Sequence, residues 1–385
     1  MEESLVFLFR EAMSSDEDAI FDLARHLNTL NLPPERSFIS QLLERSTASF
    51  CGTPDFDPGR RFLFVLEGPD GRAVGTSMIH AQHGDFDEPH VFFRVICEER
   101  YADFVGPSGD LHEVHMLHTM LHFGQTYDGP SELGGLVLHP ELRGHPDKLG
   151  RLLSLGRFVF VAAFRCWFRD RLLAELLPPL YKGPNGATRS PLWDALGSIF
   201  TGLTYEEADH MSRTSKDFIW RLFPAMPVHA SLLPEGVREI IGKVGPNTIG
   251  AQRLLERIGF KDSGRVDPFD GGPHFEAATD EVTIVHSTQK YSPVIGDPGD
   301  DSGLAIVATV GESAPHFRAV CTQVAPCEGS SSSLIICRRA LERLGVVDPG
   351  CPAPDPDLQV FAVLRSQWTV PIASRPPSKL HALAP

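Results

Sequence analysis

The stretch Ser131-Glu-Leu-Gly-Gly-Leu-Val-Leu-His-Pro-Glu-Leu-Arg-Gly-His-Pro-Asp-Lys-Leu-Gly150, continuing into Arg151-Leu-Leu-Ser-Leu-Gly-Arg157, decides the fold class. Gly134 to Leu138 is a short apolar strand closed by His139-Pro140. A loop of glycine, proline and basic residues follows. A helix is then predicted from about Asp147 to Asp170, with Leu149, Leu152, Leu153, Gly156, Phe160 and Ala163 on one stripe. Lys148, Arg151, Ser154 and Arg157 fall off that stripe. Such a strand–loop–helix unit aims backbone N–H groups and the positive end of a helix at an anion. Arg143, Lys148 and Arg151 would add charge around Gly144 and Gly150, and a pyrophosphate is the natural ligand. A plain solvated turn is the open alternative.

Upstream, Met1 to about Ala48 reads as largely helical, broken at Pro33-Pro34. Two strands, Arg61 to Leu66 and Ala73 to Ile79, are joined through Asp70-Gly71, a hairpin signal. Val91 to Ile96 extends the antiparallel series. Downstream, a helix over Thr248 to Ile258 stops at Gly259. The order predicts an α+β fold built on a mainly antiparallel mixed sheet over residues 1–286. From about Ser287 the composition shifts to loops and short strands, so residues 287–374 are expected to form a small β-rich module and 375–385 a tail.

The chain has 385 residues, a formal net charge of -15 and 42% hydrophobic residues, which is ordinary globular composition. The negative field argues against nucleic acid as a partner. The longest apolar runs, such as Phe158 to Phe164, are too short to span a bilayer, so no membrane role is expected. Seven cysteines without CxxC spacing, three of them (Cys51, Cys97 and Cys166) read as buried, fit a reducing cytoplasm.

Several collinear motifs resemble a known family. Arg143 to Gly150 looks like a loosened pyrophosphate loop of the GNAT acyltransferase superfamily. Asn247-Thr-Ile-Gly-Ala-Gln-Arg-Leu-Leu-Glu-Arg-Ile-Gly-Phe260 is similar to its Asn…Ala…Leu…Gly-Phe helix, with the asparagine one place further out. Within that superfamily, Ser131 to Leu138, Gly156 to Arg165, Ser190-Pro-Leu-Trp193, and Asp267-Pro-Phe-Asp-Gly-Gly-Pro273 with Glu276 resemble the bacterial arginine N-succinyltransferases. His316-Phe-Arg318 extends the likeness into the terminal module.

The resemblance implies a GNAT-like core, succinyl-CoA as co-substrate with no tightly bound cofactor, and L-arginine as acceptor. A homo-oligomer is a possible assembly. Leu136 matches the family position that contacts succinyl-CoA, so Val137 and Leu138 join it as a backbone cradle for the acyl and pantetheine groups. The family's general acid is a histidine in a Gln-Val-His-Pro-like motif. Here that segment is Lys243-Val-Gly-Pro246, placing Gly245 where the histidine belongs. Glycine cannot carry a proton, so His229 and Glu132 are the candidate proton carriers. Asp267, Asp270 and Glu276 are candidates for reading a guanidinium, with turn capping as the alternative. His112, His115, His118 and His122 suggest metal by composition, but the resemblance assigns none. Other amines or acyl donors (ornithine, acetyl-CoA), or a non-catalytic CoA-binding relative, are the competing readings.

Overall fold

The computed structural model describes residues 6–26, 32–183, 188–212 and 215–370, so the expected tail lies outside the described residues. Seventeen strands are assigned among them. They are β1 Leu8–Glu11, β2 Arg61–Glu67, β3 Ala73–His80, β4 His90–Val105, β5 Leu111–Thr126, β6 Ser131–Leu138 and β7 Arg171–Glu175, then β8 Tyr181–Lys182, β9 Thr188–Arg189 and β10 Val228–His229. The rest are β11 Lys261–Val266, β12 Pro273–Ala278, β13 Gln289–Ile295, β14 Gly303–Val310, β15 Phe317–Cys327, β16 Ser330–Ile336 and β17 Val360–Leu364. The helices used below are α1 Glu17–Ala24, α2 Arg36–Phe50, α3 Leu149–Ala163, α4 Ile249–Arg257 and α5 Arg338–Leu344.

Fifteen strands form one sheet in the order β10-β5-β4-β11-β12-β7-β6-β3-β2-β1-β15-β14-β17-β13-β16. Its described pairings are antiparallel except β6–β7 and β13–β16, in line with the expected mainly antiparallel α+β architecture. The β2–β3 hairpin turns where Asp70-Gly71 predicts, with Gly71 at φ +83° and the Gly68 N–H donating to the Arg72 carbonyl at 2.8 Å. Leu8–Glu11, expected to be helical, is a strand instead. Its two neighbours explain why: β1 is gripped on both sides by β2 and β15, and tertiary pairing outweighs local propensity in so short a segment.

Two layers cover the sheet. Leu63, Val65, Met78 and Val137 face α1 and α2, while Phe62, Phe64, Ile79, Leu172 and Phe275 face α3. Strand alternation sorts these two sets. Helix α3 is buried almost all round, Ser154 and Arg157 included, although both fall off its apolar stripe. The reason is that α3 packs between the sheet and the terminal strands, whose Ile306, Phe317 and Val363 join the same core. Gly156 makes the fit possible, because a Cβ there would meet the Phe9 ring at 2.6 Å. The expected boundary at residue 287 falls just before β13, and the terminal strands continue the sheet through β1–β15.

Strands β4 and β5 extend well beyond their neighbours as a hairpin arm. Tyr101, Phe104, Val105, Leu111, Met116 and Leu117 are exposed on it. Cys51, Cys97 and Cys166 are exposed, not buried: they sit at the end of α2, at the base of that arm and in the turn after α3. All seven thiols are free. Among the described residues, no helix is long and apolar enough to cross a membrane.

Candidate active site

Strands β6 and β7 run parallel but pair only at Ser131–Leu172 and Glu132–Leu173. Beyond Glu132 the β7-facing edge of β6 has no ladder partner, so the two strands splay toward their carboxyl ends. On its other edge β6 breaks register with β3 between Gly134 and Val137, a bulge centred on Gly135 at φ +56°. Bulges re-aim backbone groups and recur beside active sites. Leu136 lies in this bulge, and Val137 and Leu138 resume pairing with β3. Beneath the bulge the buried Arg157 guanidinium donates to the carbonyls of Met78 and Gly134, each at 3.4 Å. Burial pushes that guanidinium below its ordinary pKa.

Alternation decides which side chains meet on the sheet face opposite α3. Leu172 and Ala174 of β7 and Phe275 of β12 point into the α3 core, so Glu175 and His274, paired in register, point the other way. Glu132 of β6 pairs with His80 at the end of β3 and shares that face. His83 follows β3 and His90 opens β4, which brings four imidazoles around two carboxylates. His83 Nδ1 lies 2.7 Å and His80 Nδ1 3.3 Å from Glu132 Oε2. Glu175 Oε1 is 3.3 Å from His274 Nε2, 3.4 Å from His90 Nε2 and 3.8 Å from His83 Nε2.

Burial works against ionising Glu132 and Glu175, but the imidazoles win. His83 and His80 hold Glu132 well below the usual carboxylate range. His274, His90 and His83 hold Glu175 down at about 2. Burial and then His83 push His90 down to about 3, so it is neutral at physiological pH. His83 goes the other way: Glu132 and Glu175 overcome its burial and raise it. Neither ring nitrogen of His90 or His274 makes a hydrogen bond, although both residues are buried. Leaving such a group unsatisfied costs about 1–3 kcal/mol, so the cluster is the candidate site.

Of the acids expected to read a guanidinium, Glu276 is already engaged by Arg171 at 2.7 Å and Arg265 at 3.6 Å. Asp267 accepts the Phe269 N–H at 2.6 Å and Asp270 the Gly272 N–H at 2.8 Å, so both cap their turn. Burial raises both above the usual carboxylate range, helped by Glu175 at Asp267 and by Asp267 at Asp270. Asp267 also lies with Glu175 and His274, their ligand atoms within 4.8 Å of one another.

The loop expected to hold an anion follows the other end of β6, roughly 20 Å from Glu132 at ~3.3 Å per strand residue. Arg143 and Gly144 are exposed, and Lys148 starts α3 in a left-handed conformation, φ +53°. Lys148 and Arg151 line a cleft of about 670 Å³ between the start of α3 and the terminal strands. Arg339 and Arg365 line its far side, giving four cationic residues against Asp147. Sequence reasoning missed those two arginines because they come from the terminal module.

His229 stands on the exposed edge strand β10 with its ring against His118, six strands along the sheet from β6. At ~4.8 Å per strand that is on the order of 29 Å, so His229 and Glu132 are not brought together. His112, His118 and His122 lie along β5, whose arm is mostly exposed. The clustered histidines His80, His83, His90 and His274 gave no signal in the sequence, because they come from separate stretches and only strand pairing collects them.

Comparison with known proteins gives a consistent picture. Residues 7–284 match the family model described as arginine N-succinyltransferase beta subunit. The chain is 34% identical over 299 residues to a Pseudomonas aeruginosa protein named arginine N-succinyltransferase subunit beta, covering 77% of this chain and 83% of the relative. It is 36% identical over 313 residues to the Yersinia pestis arginine N-succinyltransferase, covering 78% and 84%. Among solved structures, arginine/ornithine succinyltransferase subunit AI from Pseudomonas aeruginosa superposes with a TM-score of 0.72 at 25% identity, covering 94% of this chain and 99% of that one.

Proposed function

Since this chain belongs to the arginine N-succinyltransferase family, we propose that it moves a succinyl group from succinyl-CoA to the α-amine of L-arginine. The splay of β6 from β7, with a bulge on one side and a carboxylate–imidazole cluster on the other, is the observation that carries the reading. We read the fold as GNAT-like on the same ground. The CoA phosphates sit in the basic cleft, against Lys148, Arg151, Arg339 and Arg365, with Arg143, Gly144 and Gly150 shaping the loop. The pantetheine arm follows β6, and the thioester carbonyl lies at Leu136, where backbone N–H groups freed by the splay take up developing negative charge.

The neutral amine attacks that carbonyl. A C–N bond forms, the C–S bond breaks, and CoA leaves as a thiolate that takes up a proton. The amine's proton is relayed to the cluster, roughly 13 Å along β6 at ~3.3 Å per residue, where Glu132 acts through His83, which it holds at 2.7 Å. Asp267 and Asp270, both buried, are the acids proposed to meet the substrate guanidinium. A reducing cytoplasm suits seven unpaired thiols. The apolar hairpin arm is the surface we assign to a homo-oligomer.

The test is thiol release from succinyl-CoA with L-arginine, run beside L-ornithine and acetyl-CoA. Turnover fastest with succinyl-CoA and arginine supports the reading. No thiol release with any pair, in protein that still binds CoA, rejects it.

A further inference from the structure

We propose that His83, His90 and Glu175 form a binding site for one divalent transition-metal ion of the zinc class. Zinc bonds to nitrogen and oxygen are about 2.0–2.2 Å, so the ligand atoms of a tetrahedral site stand roughly 3.3–3.6 Å apart. Glu175 Oε1 lies 3.4 Å from His90 Nε2 and 3.8 Å from His83 Nε2, and the cluster's three ligand atoms all fall within 4.8 Å of one another. Only a small inward movement of His83 closes the site.

Two further observations point to an ion. His90 has a side chain 1% exposed, neither of its ring nitrogens makes a hydrogen bond, and Nε2 is aimed at Glu175. A metal would satisfy that lone pair without protonating the ring. His83 is oriented as metal-bound histidines usually are: Nδ1 donates to Glu132 at 2.7 Å, which leaves the Nε2 lone pair facing Glu175. Two imidazoles and one carboxylate favour zinc, cobalt or nickel over magnesium or calcium. Three protein ligands leave a fourth position for water.

A second triad, Glu175 with Asp267 and His274, shares the same carboxylate. It offers one imidazole only, and Asp267 Oδ1 is committed to the Phe269 N–H. The ion therefore belongs with His83 and His90. Because the proposed transfer uses His83 as proton acceptor, bound metal should inhibit it; that consequence rests on the transfer reading, while the binding itself does not.

The experiment uses the full chain, stripped with a chelator and titrated with Zn²⁺ against a chromophoric competitor. Co²⁺ loading reports coordination through its visible absorption. The expected result is one Zn²⁺ per chain at micromolar affinity or tighter, with the intense visible band of four-coordinate Co²⁺. H90F and E175Q should each weaken binding at least 100-fold, and the near-isosteric E132Q, which removes only the outer carboxylate charge, about 10–100-fold. Folding of each variant is checked by circular dichroism. No stoichiometric binding at tens of micromolar Zn²⁺, or binding unchanged in all three variants, overturns the proposal; the latter would place the ion elsewhere, for example on the exposed His112 or His115. Thiol release measured in chelator tests the transfer reading separately.

Discussion

The Gly245 N–H donates to the Leu177 carbonyl at 2.8 Å, and a Cβ at position 245 would fall 2.6 Å from the carbonyl oxygen of Pro178. The glycine that the resemblance puts at the family's general-acid position is thus a close backbone approach just beyond Glu175. Overpacking against backbone typically costs about 1–3 kcal/mol. G245A should therefore lower stability by that order in urea denaturation. G245H should show no gain in thiol release, because the segment must move before an imidazole fits. A large gain with unchanged stability would contradict this geometry.

Asp270 is buried beside Asp267, and its folded-state pKa is raised well above the ordinary value. A raised acid favours folding fully only below its unfolded pKa, about 3.9. That contribution is lost as pH rises through the folded value. D270N removes the penalty and keeps an oxygen to accept the Gly272 N–H. It should be more stable than the parent at neutral pH, with the difference vanishing below about pH 4. If Asp270 meets the guanidinium, the KM for arginine should rise in the same variant. Thermal melts across pH and steady-state kinetics check both.

Arg151 of α3 and Arg365 of the terminal module both line the basic cleft. Charge-assisted hydrogen bonds contribute about 1.5–3 kcal/mol each. R151Q and R365Q should each weaken CoA binding by roughly 10–100-fold, and less so at high salt. Titration calorimetry at two ionic strengths reads this out. An unchanged affinity in R365Q would remove the terminal module from the CoA site.

The Glu11 carboxylate is fully buried and accepts both the His316 backbone N–H at 2.7 Å and its Nδ1–H at 2.8 Å. Deleting residues 288–385 removes this partner, strips β15 from β1, and uncovers the Ile306, Phe317 and Val363 side of the α3 core. The truncated chain is expected to be insoluble or unfolded. A soluble fragment with a cooperative melt would show that the terminal strands only decorate an independent core.

Local chemistry in the sequence determined much of this protein. The Asp70-Gly71 turn, the apolar stripe of α3, the Gly259 stop after α4 and the short terminal strands are short-range signals, and these elements form, although α3, read to Asp170, ends at Ala163. The collinear motifs pointed to the family for the same reason, since each is a contiguous stretch. Only the tertiary structure decided that Leu8–Glu11 is a strand, that Arg157 is buried, and that Arg339 and Arg365 line one cleft with Lys148 and Arg151. It alone collected His80, His83, His90 and His274 around Glu132 and Glu175. A strand fixes which face each side chain takes, but which strands lie side by side is set by long-range pairing and core packing, and no local spacing encodes that.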